Sequence, residues 1–294
     1  MKSLVEQLKT RADLYQKIRS YFRQSGAMEV VTPVLSFSAN TDPAIESFVT
    51  GTAKPMYLHT SPEFFMKRLL VAGSNSIYQI ANVFRQEESG RYHNPEFSML
   101  EWYRVGFDYK QLMDDVIALI QSVYAQEIEV EKLSYQQVFE RLKINPHQAD
   151  VETLTLAAEK AGISFQSSDP LSRDQWLDLL MSQVIEPAFD KTRLIFVYDY
   201  PASQASLAKV RNDRFPVAER FELYWGGLEL ANGFTELQDA NEQRWRFQHE
   251  NQRRLKNGQL PLPMDENFLN ALEEGLPACS GVALGLDRLL MVLT

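Results

Sequence analysis

Hydrophobic positions repeat with helical spacing at the start of the chain and give way to a strand-like pattern soon after it. Apolar side chains recur at every third or fourth position from Leu4 to Phe22, which predicts a helix over residues 3–25 that ends near Gly26. The β-branched run EVVTPVL follows and predicts a strand that closes at Pro33. The chain is therefore expected to open with one helix and one strand.

A second helix and a hairpin are predicted further along. Ser61, Pro62 and Glu63 have the residue types of a helix start: a side-chain cap, a proline that fits the first turn, and an acid at the positive end of the helix dipole. We expect this helix to run to Gly73. The segments IYQIANVFRQEE and SMLEWYRV alternate like strands on either side of the polar stretch ESGRYHNPEF, so they predict a hairpin with a long loop.

The rest of the chain has the pattern of helices followed by strands. Residues 109–190 are mainly helical in pattern and carry no evident chemistry, as is typical of a helical insertion or flank. TRLIFVYDYP predicts a buried strand, and RFELYW and LELANGF predict a hairpin with a Gly226-Gly227 turn. SGVALGLDRLLMVL predicts a strand that runs into a helix. This order favours an α+β fold with a mostly antiparallel sheet.

The composition narrows the class of protein. The 294 residues are 45% hydrophobic and 23% charged, which is enough apolar mass for a core. With no apolar run of membrane-spanning length and no signal peptide, we expect a soluble cytoplasmic protein without a membrane partner. Cys279 is the single cysteine, so an internal disulfide is excluded, and four histidines argue against a zinc cluster. The net charge of −9 argues against nucleic acid as the main partner.

Arg85 and Glu87 begin the first candidate site. Residues i and i+2 of a strand share a face, so these two opposite charges would lie together on an otherwise apolar hairpin. An arginine binds phosphate or carboxylate oxygens through two parallel hydrogen bonds, and the following loop adds His93, Asn94 and the aromatic Phe97. This set suits a nucleotide; the alternative is a solvated hairpin face with a local ion pair.

Glu101 and Tyr103 share a face of the returning strand by the same argument. A closed hairpin would bring them near Arg85 and Glu87. A carboxylate beside a phenol can receive an ammonium group. The alternative is an ordinary polar pair on the surface of the sheet.

Glu222 and Glu229 lie on the hairpin with the Gly-Gly turn. With a two-residue turn, Tyr224 faces Glu229 and Glu222 faces Ala231, so the two carboxylates would lie diagonally on one face. Two like charges are unfavourable there unless a cation separates them, and Mg²⁺ that bridges nucleotide phosphates would do so. The alternative is two exposed acids on an edge hairpin.

Two further sets lie towards the C-terminus. Asn232 and Glu236 are polar positions in an apolar context. Gly281 and Gly285 would let the backbone approach a ligand closely, and Arg288 follows in the first turn of a helix. Because the helix dipole disfavours a cation there, the arginine is expected to bind an anion. The alternative is a glycine-rich turn with a surface arginine.

Taken in chain order, these segments resemble the three signature motifs of class II aminoacyl-tRNA synthetases. The first helix with GAMEVVTPVL resembles motif 1, VFRQEE…RYHNPEF resembles motif 2, and SGVALGLDRLLM resembles motif 3. The spacers SPEFFMKRLL, MLEWY and ELANGFTEL are similar to those of the lysyl type. The resemblance implies one catalytic domain over residues 1–294, with a mostly antiparallel sheet of six or seven strands flanked by helices. It also implies a homodimer built around motif 1.

The resemblance implies a bent ATP, Mg²⁺ and a role for each residue. Arg85 would hold the α-phosphate and Arg288 the γ-phosphate, and these two would carry the catalysis. The ATP-binding residues it implies are Arg85, Gln86, Glu87, His93, Asn94, Phe97, Glu229, Leu230, Gly285 and Arg288. Magnesium would be bound by Glu222 and Glu229. The amino-acid pocket it implies is Ser61, Pro62, Glu63, Glu101, Tyr103, Asn232 and Glu236, with Ala283 beside it. The three glutamates of this pocket fit a doubly charged diamine.

Two departures from lysyl-tRNA synthetases indicate a paralogue family. Motif 1 begins almost at Met1, so we expect no N-terminal anticodon-binding barrel. Ala283 replaces a glycine of motif 3, and its methyl group would favour an amino acid with a displaced amino group. Together with RYHNPEF, MLEWYR, FPVAERFELYW and PACSGVALG, these features resemble the elongation factor P–(R)-β-lysine ligases. Members of that family attach (R)-β-lysine, through an adenylate, to a lysine of elongation factor P, so the acceptor would be that protein and not tRNA.

Three other functions fit parts of the pattern. A truncated lysyl-tRNA synthetase is disfavoured by Ala283 and by the missing barrel. A non-catalytic amino-acid-binding regulator is disfavoured by the intact Arg85, Glu87, Glu229 and Arg288. An amide-forming relative that takes aspartate is disfavoured by the three-glutamate pocket.

Overall fold

The computed structural model describes residues 3–51, 53–86, 90, 94–163 and 170–294. The chain divides into two compact units, of which the first comprises Met1–Glu127 and Thr235–Thr294 and the second Ile128–Phe234. Within the described ranges, no helix is both long and apolar enough to cross a membrane. The α+β class is confirmed, since both units combine helices with mainly antiparallel strands.

The elements are numbered in chain order. The helices are α1 (Leu4–Gln24), α2 (Glu63–Val71), α3 (Tyr109–Val123), α4 (Tyr135–Glu140), α5 (Val151–Lys160), α6 (Arg173–Leu180), α7 (Ala240–Lys256), α8 (Glu266–Gly275) and α9 (Leu286–Leu293). The strands are β1 (Met28–Glu29), β2 (Leu35–Ser36), β3 (Val49–Thr50), β4 (Met56–Leu58), β5 (Ile77–Phe84), β6 (Glu96–Val105), β7 (Val130–Ser134), β8 (Leu194–Pro201), β9 (Val210–Asn212), β10 (Pro216–Trp225), β11 (Leu228–Thr235) and β12 (Cys279–Gly285).

Helix α1 confirms the first predicted element. Ser3 caps it through a reciprocal pair of hydrogen bonds: its hydroxyl accepts from the Glu6 amide, and its own amide donates to the Glu6 carboxylate. The buried face ends in Phe22, whose ring stacks on Tyr78 of β5 at 4.3 Å between centroids. The periodic apolar positions therefore dock the helix on the sheet of the first unit.

The main-sheet strands of the first unit run in the order β1-β5-β6-β12. β5 and β6 form the predicted hairpin, and β12 pairs antiparallel with β6. These pairings confirm the predicted strands β5 and β6. The last two elements, strand β12 followed by helix α9, are also as predicted. The pairing matters for function, because Glu101 and Tyr103 of β6 share one face of the sheet with Gly281 and Ala283 of β12.

The strand predicted from EVVTPVL is wrong in length. Two short strands, β1 and β2, overlap the two ends of this run. β1 pairs parallel with β5, and β2 pairs with β4 in a separate three-stranded sheet. Pro33 has no amide hydrogen to donate, so the ladder cannot continue through it. The chain changes partners at that point.

The start of α2 also differs from the prediction. Pro62 occupies the cap position, with no capping hydrogen bond from a side chain, so the cap assigned to Ser61 is wrong. Proline places its fixed φ at the cap, and the amide of Met66 then bonds to the Pro62 carbonyl. Glu63 does begin the helix, where its charge suits the dipole.

In the second unit the main-sheet strands run in the order β11-β10-β8-β7, with β9 paired to β10. β8 is the buried strand that was predicted. Helices α4 to α6 pack on it through a cluster that includes Tyr135, Phe139 and Leu177. Where the structure describes residues 109–190, the block is mainly helical as predicted, and β7, which pairs parallel with β8, is a strand that was not predicted.

The Gly-Gly hairpin closes as predicted but has a bulge that was not predicted. Trp225 faces Leu228 and Tyr224 faces Glu229, as expected. Beyond them the register shifts by one residue at Leu230, so Glu222 faces Asn232 and not Ala231. An extra residue in one strand moves every later side chain relative to its partner. Four main-sheet strands in the first unit and five in the second exceed the six or seven that the resemblance implied.

Candidate active site

A buried carboxylate pocket lies in the first unit, between α2 and the β6–β12 pair. Glu101 and Tyr103 of β6 alternate onto one face, as predicted, and Glu236 follows the end of β11. Glu101 and Glu236 are 2% and 1% exposed, so neither is a surface acid. The Tyr103 hydroxyl donates to Glu101 Oε1 at 2.7 Å. The alternative of a polar pair on the sheet surface is therefore excluded.

Glu63, on the first turn of α2, completes the set of three carboxylates. Its Oε1 lies 2.6 Å from Lys67 Nζ, one helical turn on, and the same Nζ lies 2.5 Å from Glu236 Oε2. The structure thus brings together the three glutamates that the sequence assigned to an amino-acid pocket. Lys67 was not assigned to the site, although its spacing of four residues from Glu63 is a recognisable ion-pair pattern.

The protonation of the pocket follows from its burial. Loss of water, and then the nearby Glu63 charge, raise the pKa of Glu101 to about 8. Burial also raises the pKa of Glu236 to about 8, although the Lys67 ammonium opposes the effect. Burial and the Glu101 charge raise the pKa of the Tyr103 hydroxyl, so it remains a donor. A cationic ligand would restore the charge of both carboxylates.

Strand β12 forms the floor of this pocket. In its register Gly281 lies opposite Tyr103 and Ala283 opposite Glu101, on the same face. A Cβ atom at Gly281 would lie 2.3 Å from Tyr103 Cε1 and 2.5 Å from Glu236 Oε1, so only glycine fits. The glycine spacing of the C-terminal motif signals this close approach, but Gly281 was not assigned to the site.

Arg85 lies just beyond the end of β5, which stops at Phe84. Its Nε donates to the Thr60 carbonyl at 3.3 Å, beside Ser61, and its guanidinium lies 5.2 Å from the centre of the Phe97 ring. The strand-face argument placed Arg85 within the strand, whereas β5 ends one residue before it. Gln86 and Asn94 are exposed, whereas Glu87 and His93 lie outside the described residues.

The expected closeness of Arg85 to Glu101 is also wrong at the level of the backbone. Glu101 pairs with Gln79 of β5, and Arg85 lies six positions after Gln79 in the chain. At about 3.4 Å per residue the two backbones are roughly 20 Å apart. The hairpin is longer than the spacing of its charged residues suggested.

Arg288 lies in the first turn of α9, and Gly285 is the cap residue of that helix. The neighbouring Asp287 fixes this end of the helix, because its Oδ2 accepts from the Ser98 amide at 2.7 Å and its Oδ1 pairs with Arg11. Asp287 thus joins α9 to β6 and α1. The sequence offered no signal for this role beyond an acid at a helix start.

The second unit holds the other carboxylates of the prediction. Glu222 Oε1 pairs with Arg220 at 2.5 Å, and its Oε2 accepts from the hydroxyls of Tyr200 at 2.6 Å and Tyr224 at 2.5 Å. Arg220 Nε also donates to Asn232 Oδ1 at 3.2 Å. Arg220 was not predicted as a site residue, although its spacing of two residues from Glu222 places both side chains on one face of β10.

This donor set is compatible with a magnesium ion. A carboxylate has about four lone-pair directions, and the three contacts of Glu222 leave one on Oε1. Glu229 lies on the adjacent strand opposite Tyr224, while Leu230 beside it is buried. In the described part of the chain, no three His, Cys, Asp or Glu side chains are arranged to hold a metal alone. Mg²⁺ prefers one or two carboxylates together with phosphate oxygens. Glu222 and Glu229 would provide the carboxylates, and the nucleotide would provide the phosphate oxygens.

Comparisons with known proteins agree on one family. A family model described as tRNA synthetases class II (D, K and N) matches residues 1–294. The elongation factor P–(R)-β-lysine ligase of Vibrio atlanticus (strain LGP32) is 47% identical over 296 residues, which cover 98% of this chain and 91% of the relative. Ligases of the same name from Proteus mirabilis (strain HI4320) and Edwardsiella ictaluri (strain 93-146) are 48% and 49% identical over the same shares. The chain therefore belongs to the class II tRNA synthetases of the D, K and N type and, within them, to the elongation factor P–(R)-β-lysine ligases.

Proposed function

We propose that this protein is an ATP-dependent ligase that activates (R)-β-lysine as an adenylate. It then transfers the β-lysyl group to the ε-amino group of a lysine on elongation factor P. The observation that carries the proposal is the buried pocket of Glu63, Glu101 and Glu236 beside Lys67. Its excess of negative charge suits a substrate with two ammonium groups. The shared name of the relatives supports the acceptor.

The first step is an in-line displacement at phosphorus. A carboxylate oxygen of β-lysine attacks the α-phosphorus of ATP, the bond from that phosphorus to the bridging oxygen breaks, and pyrophosphate leaves. Such a reaction needs positioning and charge neutralisation more than covalent help from the protein. We assign Arg85 to the α-phosphate and Arg288 to the γ-phosphate.

The second step forms an amide. The neutral ε-amine of the acceptor lysine attacks the adenylate carbonyl, AMP leaves with the bonding electrons, and the amine loses one proton to water or buffer. The pocket retains the two ammonium groups of the β-lysyl moiety throughout. No residue of this chain is assigned as a general base.

The remaining roles follow the family resemblance. In the first unit, the further ATP-binding residues are Gln86, Glu87, His93, Asn94, Phe97 and Gly285. The amino-acid pocket comprises Ser61, Pro62, Glu63, Glu101, Tyr103 and Glu236, with Ala283 favouring a β-amino group. In the second unit we assign Leu230 to ATP, Asn232 to the amino acid, and Glu222 and Glu229 to magnesium. Magnesium, when bound, neutralises charge on phosphate oxygens.

A homodimer in the cytoplasm completes the proposal. Apolar side chains of the motif 1 region are open to solvent in the single chain, including Leu4, Leu8, Val31 and Phe37. Val31 alone is 91% exposed. Exposed apolar side chains that group into one patch are typical of a subunit interface, and we propose that these residues form one. Light scattering of the protein and of Val31→Asp tests it, since the substitution is expected to release monomers.

Transfer of labelled (R)-β-lysine tests the activity. The purified protein is incubated with ATP, Mg²⁺ and the labelled amino acid, in parallel with elongation factor P and with lysine tRNA. We expect label on the protein acceptor alone. Label on tRNA alone would refute the proposed acceptor.

A substitution tests the assignment of Arg288 to the nucleotide. We expect Arg288→Ala to abolish ATP–pyrophosphate exchange while thermal unfolding stays close to that of the wild type, because the side chain would act on the nucleotide. Exchange that survives in Arg288→Ala would show that the assignment of the C-terminal motif is wrong.

A further inference from the structure

Lys67 is the one cation seated among the described pocket carboxylates. It projects from α2, its side chain is 1% exposed, and its Nζ contacts Glu63 Oε1 at 2.6 Å and Glu236 Oε2 at 2.5 Å. The same Nζ lies 5.6 Å from the centre of the Phe268 ring of α8. A lysine normally extends its ammonium into water, so complete burial between two acids needs an explanation.

The Lys67 ammonium is charged despite its burial. Loss of water lowers the pKa of a buried amine, but Glu236 and then Glu63 outweigh that effect and raise the pKa of Lys67 above its ordinary value. The other titratable groups around Lys67, Glu63 and Glu236 are Glu101 and Tyr103 of β6 and Cys279 of β12; the three glutamates with Lys67 are called the cluster below. Burial raises the pKa of both the phenol and the thiol, so neither contributes charge near neutral pH.

The charge balance of the cluster follows from these states. Three carboxylates and one ammonium leave two negative charges when all four groups are ionised. The Oε2 atom of Glu101 is buried and accepts no hydrogen bond from the described residues, so it is open to a donor from a ligand. A lysine-type amino acid carries two ammonium groups, which match both the charge and the open acceptor.

We propose that Lys67 is a specificity-determining residue: it neutralises one pocket carboxylate and holds Glu63 and Glu236 together, so that the pocket is matched to substrates with two ammonium groups. The inference rests on the proposed function for the identity of the substrate. Lys67 is a positioning residue, since it acts through the two glutamates and not on the reacting atoms. Without Lys67 the third carboxylate loses its counter-ion and takes up a proton, which a ligand with two ammonium groups must displace.

The test compares Lys67→Met, Lys67→Arg and the charge-compensated double variant Lys67→Met with Glu236→Gln. Lys256→Met, which removes an exposed lysine of α7, controls for net charge. The first readout is the rise in melting temperature with (R)-β-lysine and with norleucine, which has one ammonium group, from pH 6 to pH 9. The second readout is the KM for (R)-β-lysine in pyrophosphate exchange over the same range.

We expect the rise in melting temperature to depend on pH in the same way in the wild type, Lys67→Arg and Lys256→Met. In these proteins (R)-β-lysine should stabilise the fold and norleucine should not. In Lys67→Met the profile should move to higher pH by about one unit, with a KM about tenfold higher at pH 7, because each pKa unit corresponds to a factor of ten. The double variant should bring the profile back even if its KM remains high. If Lys67→Met folds poorly, the double variant decides the question. A double variant that has the wild-type pH profile supports the inference even if its melting temperature is lower.

Two results would overturn the inference. One is a Lys67→Met protein that is less stable yet keeps the wild-type pH profile and its preference for two ammonium groups, since that describes a purely structural lysine. The other is a wild type that no amino acid with two ammonium groups stabilises at any pH. Failure of the proposed function differs from both: ligand-induced stabilisation would follow the expected profiles, but exchange or transfer would be absent.

Discussion

Gly281→Ala is the sharpest perturbation of the pocket that leaves its charges unchanged. The added Cβ would lie 2.3 Å from Tyr103 Cε1, 2.6 Å from Tyr103 Cδ1 and 2.5 Å from Glu236 Oε1. Real Cβ atoms do not approach other atoms so closely, so the Tyr103 ring or strand β12 must move. Tyr103 is 2% exposed and donates to Glu101, which leaves the ring little room to turn.

The expected magnitude follows from overpacking of a buried site. Insertion of one methyl group into a filled interior costs about 1–3 kcal/mol of unfolding free energy. At about 2–4 °C per kcal/mol for a chain of this size, the melting temperature should fall by several degrees. Because the displaced groups line the amino-acid pocket, the KM for (R)-β-lysine should rise about tenfold or more, while the KM for ATP stays within about twofold.

Gly285→Ala is the matched control for stability on the same strand, and only its melting temperature is compared, because Gly285 is assigned to ATP. A Cβ there would find its nearest neighbour, Arg288 Cδ, at 3.8 Å, which is an ordinary contact. We expect its unfolding free energy to fall by at most about 1 kcal/mol, because Gly285 makes no side-chain capping hydrogen bond that alanine would remove. If Gly281→Ala melts like this control and keeps the wild-type KM for (R)-β-lysine, the close approach of β12 to Tyr103 is not a constraint, and the reasoning fails.

Three further substitutions test neighbouring features. Ala283→Gly should improve the use of α-lysine relative to β-lysine in pyrophosphate exchange, and an unchanged ratio would contradict the steric role of the methyl group. Tyr103→Phe removes the donor to Glu101 Oε1 and should lower the unfolding free energy by about 1–3 kcal/mol, measured in urea, with a higher amino-acid KM. Asp115→Asn breaks the ion pair with Arg104, which has Nε–Oδ2 at 2.8 Å, and should cost about 3–5 kcal/mol in the same assay without a selective effect on KM.

Local patterns predicted most of the fold. The hairpin of β5 and β6, the buried β8 and the Gly-Gly turn each depend on alternation or turn chemistry within one short segment, and each is confirmed. The errors arose where distant segments decide the outcome. The run EVVTPVL changes its partner strand at Pro33, and the bulge at Leu230 depends on how β10 and β11 pair. Pro33 signals locally that a ladder ends, but the choice of partner strand on either side of it has no local signature, and neither does the bulge.

The sequence predicted which acidic residues form the candidate site but not which other residues contact them. The acids of the pocket stood out because they interrupt apolar strands, and the structure brings Glu63, Glu101 and Glu236 together. Lys67 was missed because a lysine on an amphipathic helix is normally solvated, and its burial depends on an acid far along the chain. Gly281 was predicted to let the backbone approach a ligand, but its contact with the Tyr103 ring on the paired strand could not be predicted from the sequence. The assignment of ligands to these residues stays a prediction.

The same pocket should link stability, pH and substrate. The pKa of Glu101 and that of Glu236 lie at about 8, above the ordinary value of 4.5. Between those limits the folded chain binds more protons than the unfolded chain, so the unfolding free energy should decrease as the pH rises from about 4.5 to about 8. A ligand with two ammonium groups should act in the opposite sense, because it stabilises the ionised carboxylates and releases the protons. The rise in melting temperature with saturating (R)-β-lysine should therefore be larger at pH 8 than at pH 6. An equal rise at both values would mean that the carboxylates are already ionised in the empty pocket, and that burial does not govern their charge.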